Sequence, residues 1–230
     1  SAVMKSAQVH GATLHLGAIT GLVRAADGAS IRGVEVGGRL IEADAVVIAM
    51  GPWSVLASGW IALPAVYGLQ SPSLVYDTGA DVPADALFLD YRDDDGGSVN
   101  VELFPRGDGT THITAFTDQP PLPLDPAMVK PDPDAIDRLQ AIAARLSPAF
   151  RPERIRARQS CFRPVTEDGL PLIGKLPGLA GTYVATGHSV WGILNAPATG
   201  EALAELIVDG SARSVDLAPF DPARLDALDP

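Results

Sequence analysis

Cysteine is almost missing from this sequence. Cys161 is the one such residue in 230, which removes disulfide frameworks and cysteine-based zinc sites together. It reads as a small buried apolar side chain. Positive charge is scarce too: 17 Lys and Arg face 28 Asp and Glu, a formal net charge of −11. Any surface offered to a phosphate backbone would first have to overcome that repulsion, so nucleic acid is not an expected partner. The four histidines, His10, His15, His112 and His188, show no ligand spacing, and no metal site is expected. Residues Ser1 to Gly11 hold no apolar h-region of a secretory signal. Charge vanishes altogether from Ala45 to Tyr76, long enough to span a bilayer, but Gly51, Pro52, Gly59, Pro64 and Gly68 would break a helix repeatedly. That stretch reads as a buried strand, Ala45 to Ala49, and an apolar loop. A chain that is not transmembrane, in an intracellular, cytoplasmic setting, is the matching expectation.

What is present is globular in composition: 47% hydrophobic and 20% charged residues, with 23 Gly and 20 Pro, short of the level that signals disorder. At this size a core closes without staples. Val3, Met4 and Ala7 suggest an amphipathic helix stopped by Gly11. A short strand is expected over Thr13 to Leu16. Three extended runs follow, Ile19 to Arg24, Ile31 to Val36 and Arg39 to Ile41, separated by Asp27-Gly28 and Gly37-Gly38, pairs that supply the positive φ of tight hairpins. This three-stranded meander leads into Ala45 to Ala49, whose unbroken apolar character predicts a strand buried on both faces of a parallel sheet.

Beyond the apolar loop the pattern alternates. Ser73 to Tyr76, Ala86 to Tyr91, Ser98 to Phe104 and His112 to Ala115 predict an antiparallel sheet, and Asp93-Asp94-Asp95 reads as a solvated hairpin tip, since no EF-hand spacing follows. Asp132 and Pro133 then cap and open a helix whose apolar face is Ile136, Leu139, Ile142, Ala143 and Leu146, ended by Ser147-Pro148. No internal repeat is found.

Three segments in the last third are chemically distinctive: Phe162-Arg163-Pro164-Val165-Thr166-Glu167-Asp168-Gly169-Leu170-Pro171-Leu172-Ile173-Gly174, then Tyr183-Val184-Ala185-Thr186-Gly187-His188, then Trp191-Gly192-Ile193-Leu194-Asn195-Ala196-Pro197-Ala198-Thr199-Gly200. The second is a short strand ending at a glycine, where backbone can approach a ligand. The third opens a helix whose small-residue first turn offers free N–H groups and a positive dipole end. Arg163, in an apolar setting, needs a partner. An internal carboxylate, Glu167 or Asp168, is the commoner solution, and a substrate anion is the other. His188 reads first as a hydrogen-bonded structural residue. Gly187-His188-Ser189-Val190-Trp191 starts like a hydrolase nucleophile elbow, but Trp191 stands where the second glycine is required. Gly107-Asp108-Gly109 lacks the helix of a dinucleotide fingerprint.

Together, the run from Arg163 to Gly174, the Tyr-Val-Ala-Thr-Gly-His strand and the Gly-Ile-Leu-x-Ala-Pro-x-Thr-Gly helix start resemble the C-terminal part of FAD-dependent oxidoreductases of the D-amino acid oxidase (DAO) family, which includes glycine oxidase and sarcosine oxidase. His188 to Asn195 is similar in wording to a eukaryotic branch of that family linked to endosomal trafficking. The meander and Val46-Val47-Ile48-Ala49-Met50-Gly51-Pro52-Trp53-Ser54 match the family's middle section in order, so nearly the whole chain is covered.

The resemblance implies an α/β (α+β) fold: a partial FAD-binding Rossmann-like domain with a three-stranded β-meander, at 1–60 and 155–215, and an antiparallel-sheet substrate domain at 61–154, followed by a tail at 216–230. It implies FAD as cofactor and a small-molecule amine or amino acid as substrate, its C–N bond oxidised by hydride transfer to flavin N5. Arg163 resembles the arginine that pairs with the substrate carboxylate. Gly187, His188, Ser189, Val190, Trp191, Gly192, Ile193 and Leu194 resemble the loop lining the flavin ring, with the next helix aimed at its N1/O2 edge. Ile19 resembles the residue whose backbone meets the adenosine part, and Gly51 to Trp53 the loop passing near the cofactor. Two departures matter. Val190 stands where glycine oxidase has a second carboxylate-binding arginine. The family's N-terminal strand, glycine fingerprint and ribose-binding acid also have no counterpart, so this chain by itself is expected to bind FAD weakly or not at all, with that segment supplied in trans as one solution. The alternative function is a catalytically silent flavoprotein fold acting in binding or trafficking. A folded remnant would instead expose apolar surface at Val46, Ile48 and Val184.

Overall fold

The structure is a computed structural model that describes residues 2–92 and 96–228. The expected acidic hairpin tip at 93–95 lies outside the described residues. Helix α1 (Ala2–Val9) ends before Gly11, whose φ of 96° suits a glycine. The strand expected over 13–16 is not formed. Those residues are exposed, and no described strand lies alongside to share their backbone hydrogen bonds.

Strands β1 (Ile19–Arg24), β2 (Ile31–Val36) and β3 (Arg39–Glu42) form the antiparallel meander, in that order. Asp27 ties its first turn, its carboxylate accepting from the Ala29 and Ser30 amides and from the Ser30 hydroxyl. Next come β4 (Val46–Ile48), a 3₁₀ segment Gly51–Gly59, β5 (Leu63–Pro64), β6 (Tyr67–Asp77), β7 (Leu87–Arg92), β8 (Ser98–Pro105) and β9 (Thr110–Thr114). Helix α2 (Pro133–Leu146), β10 (Ile155–Val165), β11 (Leu172–Lys175), β12 (Thr182–Thr186), α3 (Gly192–Asp209) and β13 (Ala227–Leu228) complete the fold.

The result is a mixed α/β fold. Its largest sheet is antiparallel, ordered β10-β6-β9-β8-β7. Helix α2 covers one face, packing Ile136, Leu139, Ile142 and Ala143 on Leu74, Tyr76, Val101, Leu103 and Ile113. At its start Asp132 Oδ1 accepts from the Asp134 amide at 3.0 Å, with Pro133 in the first turn. The second core joins Ile31, Ile48, Leu63, Leu172, Leu179 and Val184 under a small sheet ordered β11-β12-β4, where β4 runs parallel to β12.

Two burial expectations are corrected here. β4 is buried on one face only: Ile48 points into the core, while Val47 on the opposite face is exposed. Nor does a remnant's apolar scar appear at Ile48 and Val184, which are both buried. Besides Val47, the exposed apolar side chains include Trp191, Ile193 and Leu194. Among the described residues no helix is long and apolar enough to cross a membrane.

Candidate active site

Long antiparallel pairing of β10 with β6 sets Cys161 opposite Ser71 and Arg163 opposite Leu69. Side chains alternate along a strand and cross-strand partners share a face, so Cys161, Arg163 and Ser71 lie on the face turned away from α2. The same alternation turns Phe162 inward and leaves Cys161 exposed, which corrects its expected burial.

Arg163 is half-buried, and its Nη2 donates to Ser71 Oγ at 2.9 Å and to Thr117 Oγ1 at 2.6 Å. Its buried Nε has no acceptor, and no carboxylate is paired with it among the described residues. The expected ion pair with Glu167 or Asp168 is therefore not made. Asp168 is taken by Arg224, whose Nε and Nη2 donate to its two carboxylate oxygens at 2.7 and 3.0 Å, while Glu167 is exposed. Hydrogen bonds from Arg224, Leu170 and Thr166 hold the Asp168 carboxyl well below the usual carboxylate range. An arginine whose fork is held by neutral hydroxyls keeps its full charge for an incoming anion.

A second group of residues gathers at the end of β12. Gly187 has φ of 81°, and a Cβ there would stand 2.9 Å from Thr166 Cγ2 and 3.3 Å from Pro171 Cα, so only glycine lets the chain pass the 166–171 turn this closely. His188 Nε2 lies 3.1 Å from Thr199 Oγ1, a hydrogen bond to a residue on α3. Burial lowers its pKa, so the imidazole is neutral at neutral pH. Ser189 takes φ of 50°, a left-handed conformation rare outside glycine. Val190 and Trp191 are exposed, and α3 then opens at Gly192 with no side-chain cap. Ile193 is 96% exposed and Leu194 72%, so the first turn of α3 offers free N–H groups amid uncovered apolar surface.

Two links draw these pieces together. Thr186 Oγ1 donates to the Gly51 carbonyl at 2.8 Å, and at Gly51 (φ 57°) no atom lies within 4 Å of where a Cβ would stand. Trp53 donates through Nε1 to the Pro123 carbonyl at 2.7 Å and meets Phe162 edge-on, ring centres 6.4 Å apart. β10 lies against both the 3₁₀ segment and the turn Ser189–Trp191. Ile19, at the start of β1 opposite Val36, is exposed, and no hydrogen bond ties it to the others. Sequence reading missed Ser71, Thr117 and Thr199. The strand register that seats Ser71 beside Arg163 spans about ninety residues and leaves no local mark, whereas Thr199 lies eleven residues past His188, within one helix start.

The profile of the DAO family of FAD dependent oxidoreductases matches residues 1–206. The chain belongs to that FAD-dependent family. Glycine oxidase of Pseudomonas aeruginosa is 30% identical over 199 residues, 86% of this chain and 50% of that protein. A Schizosaccharomyces pombe protein, an oxidoreductase by name only, is 30% identical over 183 residues, 79% of this chain and 46% of its own length. In structure, glycine oxidase from Geobacillus kaustophilus superposes with a TM-score of 0.77 at 27% identity, covering 97% of this chain and 56% of that one. The chain thus spans about half the length of the relatives it matches.

Proposed function

We propose that this chain carries the substrate anchor and the ring-facing loop of an oxidase or dehydrogenase acting on the C–N bond of an amine or amino acid that bears a carboxylate. The observation that carries the proposal is Arg163: a half-buried guanidinium without a carboxylate partner, one nitrogen held by hydroxyls and another left bare. A charge kept uncompensated is costly unless an anion arrives to meet it. Its role is to bind the substrate carboxylate and so fix which carbon faces the cofactor.

FAD, when bound, takes up the hydride removed from that carbon. The chain's own residues suit such a group. Gly51 leaves open space, Gly187 to Leu194 end in uncapped N–H donors that favour an electron-rich ring edge, and Trp191, Ile193 and Leu194 offer apolar surface. Trp53 braces the wall behind Arg163 through Phe162, and the backbone at Ile19 would meet the adenosine part. Neutral His188 adds no charge to compete with the arginine. In this proposal 1–60 and 155–215 form the cofactor-binding part, 61–154 caps the substrate, and 216–230 follows as a tail.

In a preparation that turns over with FAD, Arg163→Ala should raise KM for a carboxylated amine at least ~10-fold while kcat falls far less. An unchanged KM would remove Arg163 from the anchor role. Exposed Val190 in the loop favours a second reading, a silent fold used for binding or trafficking. Amine-dependent reduction of an artificial electron acceptor or of oxygen by full-length protein separates the two, since the silent fold reduces neither.

A further inference from the structure

We propose that the hydroxyl of Thr117 is a second donor to the substrate's carboxylate, so that Arg163 and Thr117 form one composite acid-binding site; this rests on the function proposed above. Nη2 of Arg163 carries two N–H groups, and it has two acceptors, Ser71 Oγ and Thr117 Oγ1. A hydroxyl that accepts still has its own proton to give. The Ser71 oxygen lies 3.4 Å from Thr117 Oγ1, a contact in which either hydroxyl can donate; we assign the Ser71 proton to Thr117, because Ser71 is buried and has no solvent to turn to. The Thr117 oxygen then takes two incoming bonds and must direct its own proton elsewhere. Thr117 is exposed, and outward is open. The site therefore presents donors alone: the remaining N–H groups of the guanidinium and one O–H. Two adjacent donors of different type match the two oxygens of a carboxylate better than an amide or an ester, each of which offers one strong acceptor.

The backbone around Thr117 is built to hold it there. β9 stops at Thr114, and Phe116 adopts φ of 63°, an outlier for a bulky side chain. Its ring lies under the Arg138 guanidinium, 4.4 Å from ring centre to Cζ. On the other side Asp118 exchanges two backbone hydrogen bonds with Gln70, at 2.8 and 2.9 Å. Thr117 is thus fixed between a strained residue and a bridge to the neighbour of Ser71. Strain held in place by surrounding contacts collects at functional positions.

The test is a ¹H–¹⁵N NMR titration of the full chain with glycolate, following the Arg163 side-chain N–H and nearby amides, with glycolamide as the uncharged control. Spectral dispersion reports folding of each variant. Glycolate should shift these signals and glycolamide should not. Thr117→Val should weaken glycolate binding about 10-fold, as expected for losing one hydrogen bond to a charged group, and Thr117→Ser should stay within about twofold of the parent. If Thr117→Val binds glycolate as well as the parent while Arg163→Ala does not bind, the Thr117 role is overturned and the anchor stands. If glycolate does not bind the parent, or binds Arg163→Ala equally well, the anchor and the Thr117 role fall together.

Discussion

At Arg163 the decisive feature is the neutrality of its company. Arg32, Arg156 and Arg213 pair with carboxylates at the surface, where such contacts are worth little, but a half-buried guanidinium facing only hydroxyls is set apart by its chemistry. Motif wording singled out Arg163, while the strands that would have to be aligned to find Ser71 and Thr117 are far apart in the chain. Cys161 was misjudged because its burial was read from residue type alone, whereas alternation along β10 turns it outward. Gly187 is the opposite case, a residue legible because a strand ends there. Gly187→Ala must adopt φ near 81° and press a methyl toward Thr166, so it should cost roughly 1–3 kcal/mol, read by thermal unfolding. A melting temperature equal to the parent's would show that the 166–171 turn yields freely.

Elements announced by local chemistry were predicted to within a residue or two. The meander follows from its glycine turns, and α2 from its cap and apolar stripe. Asp132→Ala should destabilise the protein by about 1 kcal/mol, since a first-turn N–H loses its acceptor; denaturant unfolding monitored by helical circular dichroism measures it. β10 escaped notice because Arg156, Arg158 and Arg163 and the polar residues between them hide its alternation, and because its stability comes from β6 rather than from its own sequence. The early half of β6 was read as part of the apolar loop, whose breakers included Pro64 and Gly68. The stretch 13–16 erred the other way: a β-branched, apolar pattern does not make a strand without a neighbour.

At the scale of the whole molecule, the late segment works as a clasp. Arg224 grips Asp168 and the Leu170 carbonyl, Pro222 packs against Gly174, and β13 pairs with β5. The gripped turn is the one against which Gly187 rests, so the clasp supports the loop leading to α3. Because Asp168 has its pKa lowered by folding, its contribution is complete above the ordinary carboxylate value near 4 and drains away as pH falls below it. Arg224→Ala should therefore cost about 1–2 kcal/mol at pH 7, the pair being partly exposed, and progressively less below pH 4. Unfolding free energies of both proteins between pH 3 and 7 check this, and a pH-independent difference would assign the effect to packing instead.

The bond from Thr186 to the Gly51 carbonyl closes a loop of 135 residues, and the parallel pairing of β12 with β4 closes one just as long. Contacts of such range form late in folding, because their closure entropy is spent before they return anything. The antiparallel sheet and α2 can assemble within that loop first. The β10–β6 pairing that carries Arg163 spans about ninety residues, a shorter closure that is expected first, so a chain caught between the two stages would hold its acid anchor ready before it had a place for the ring.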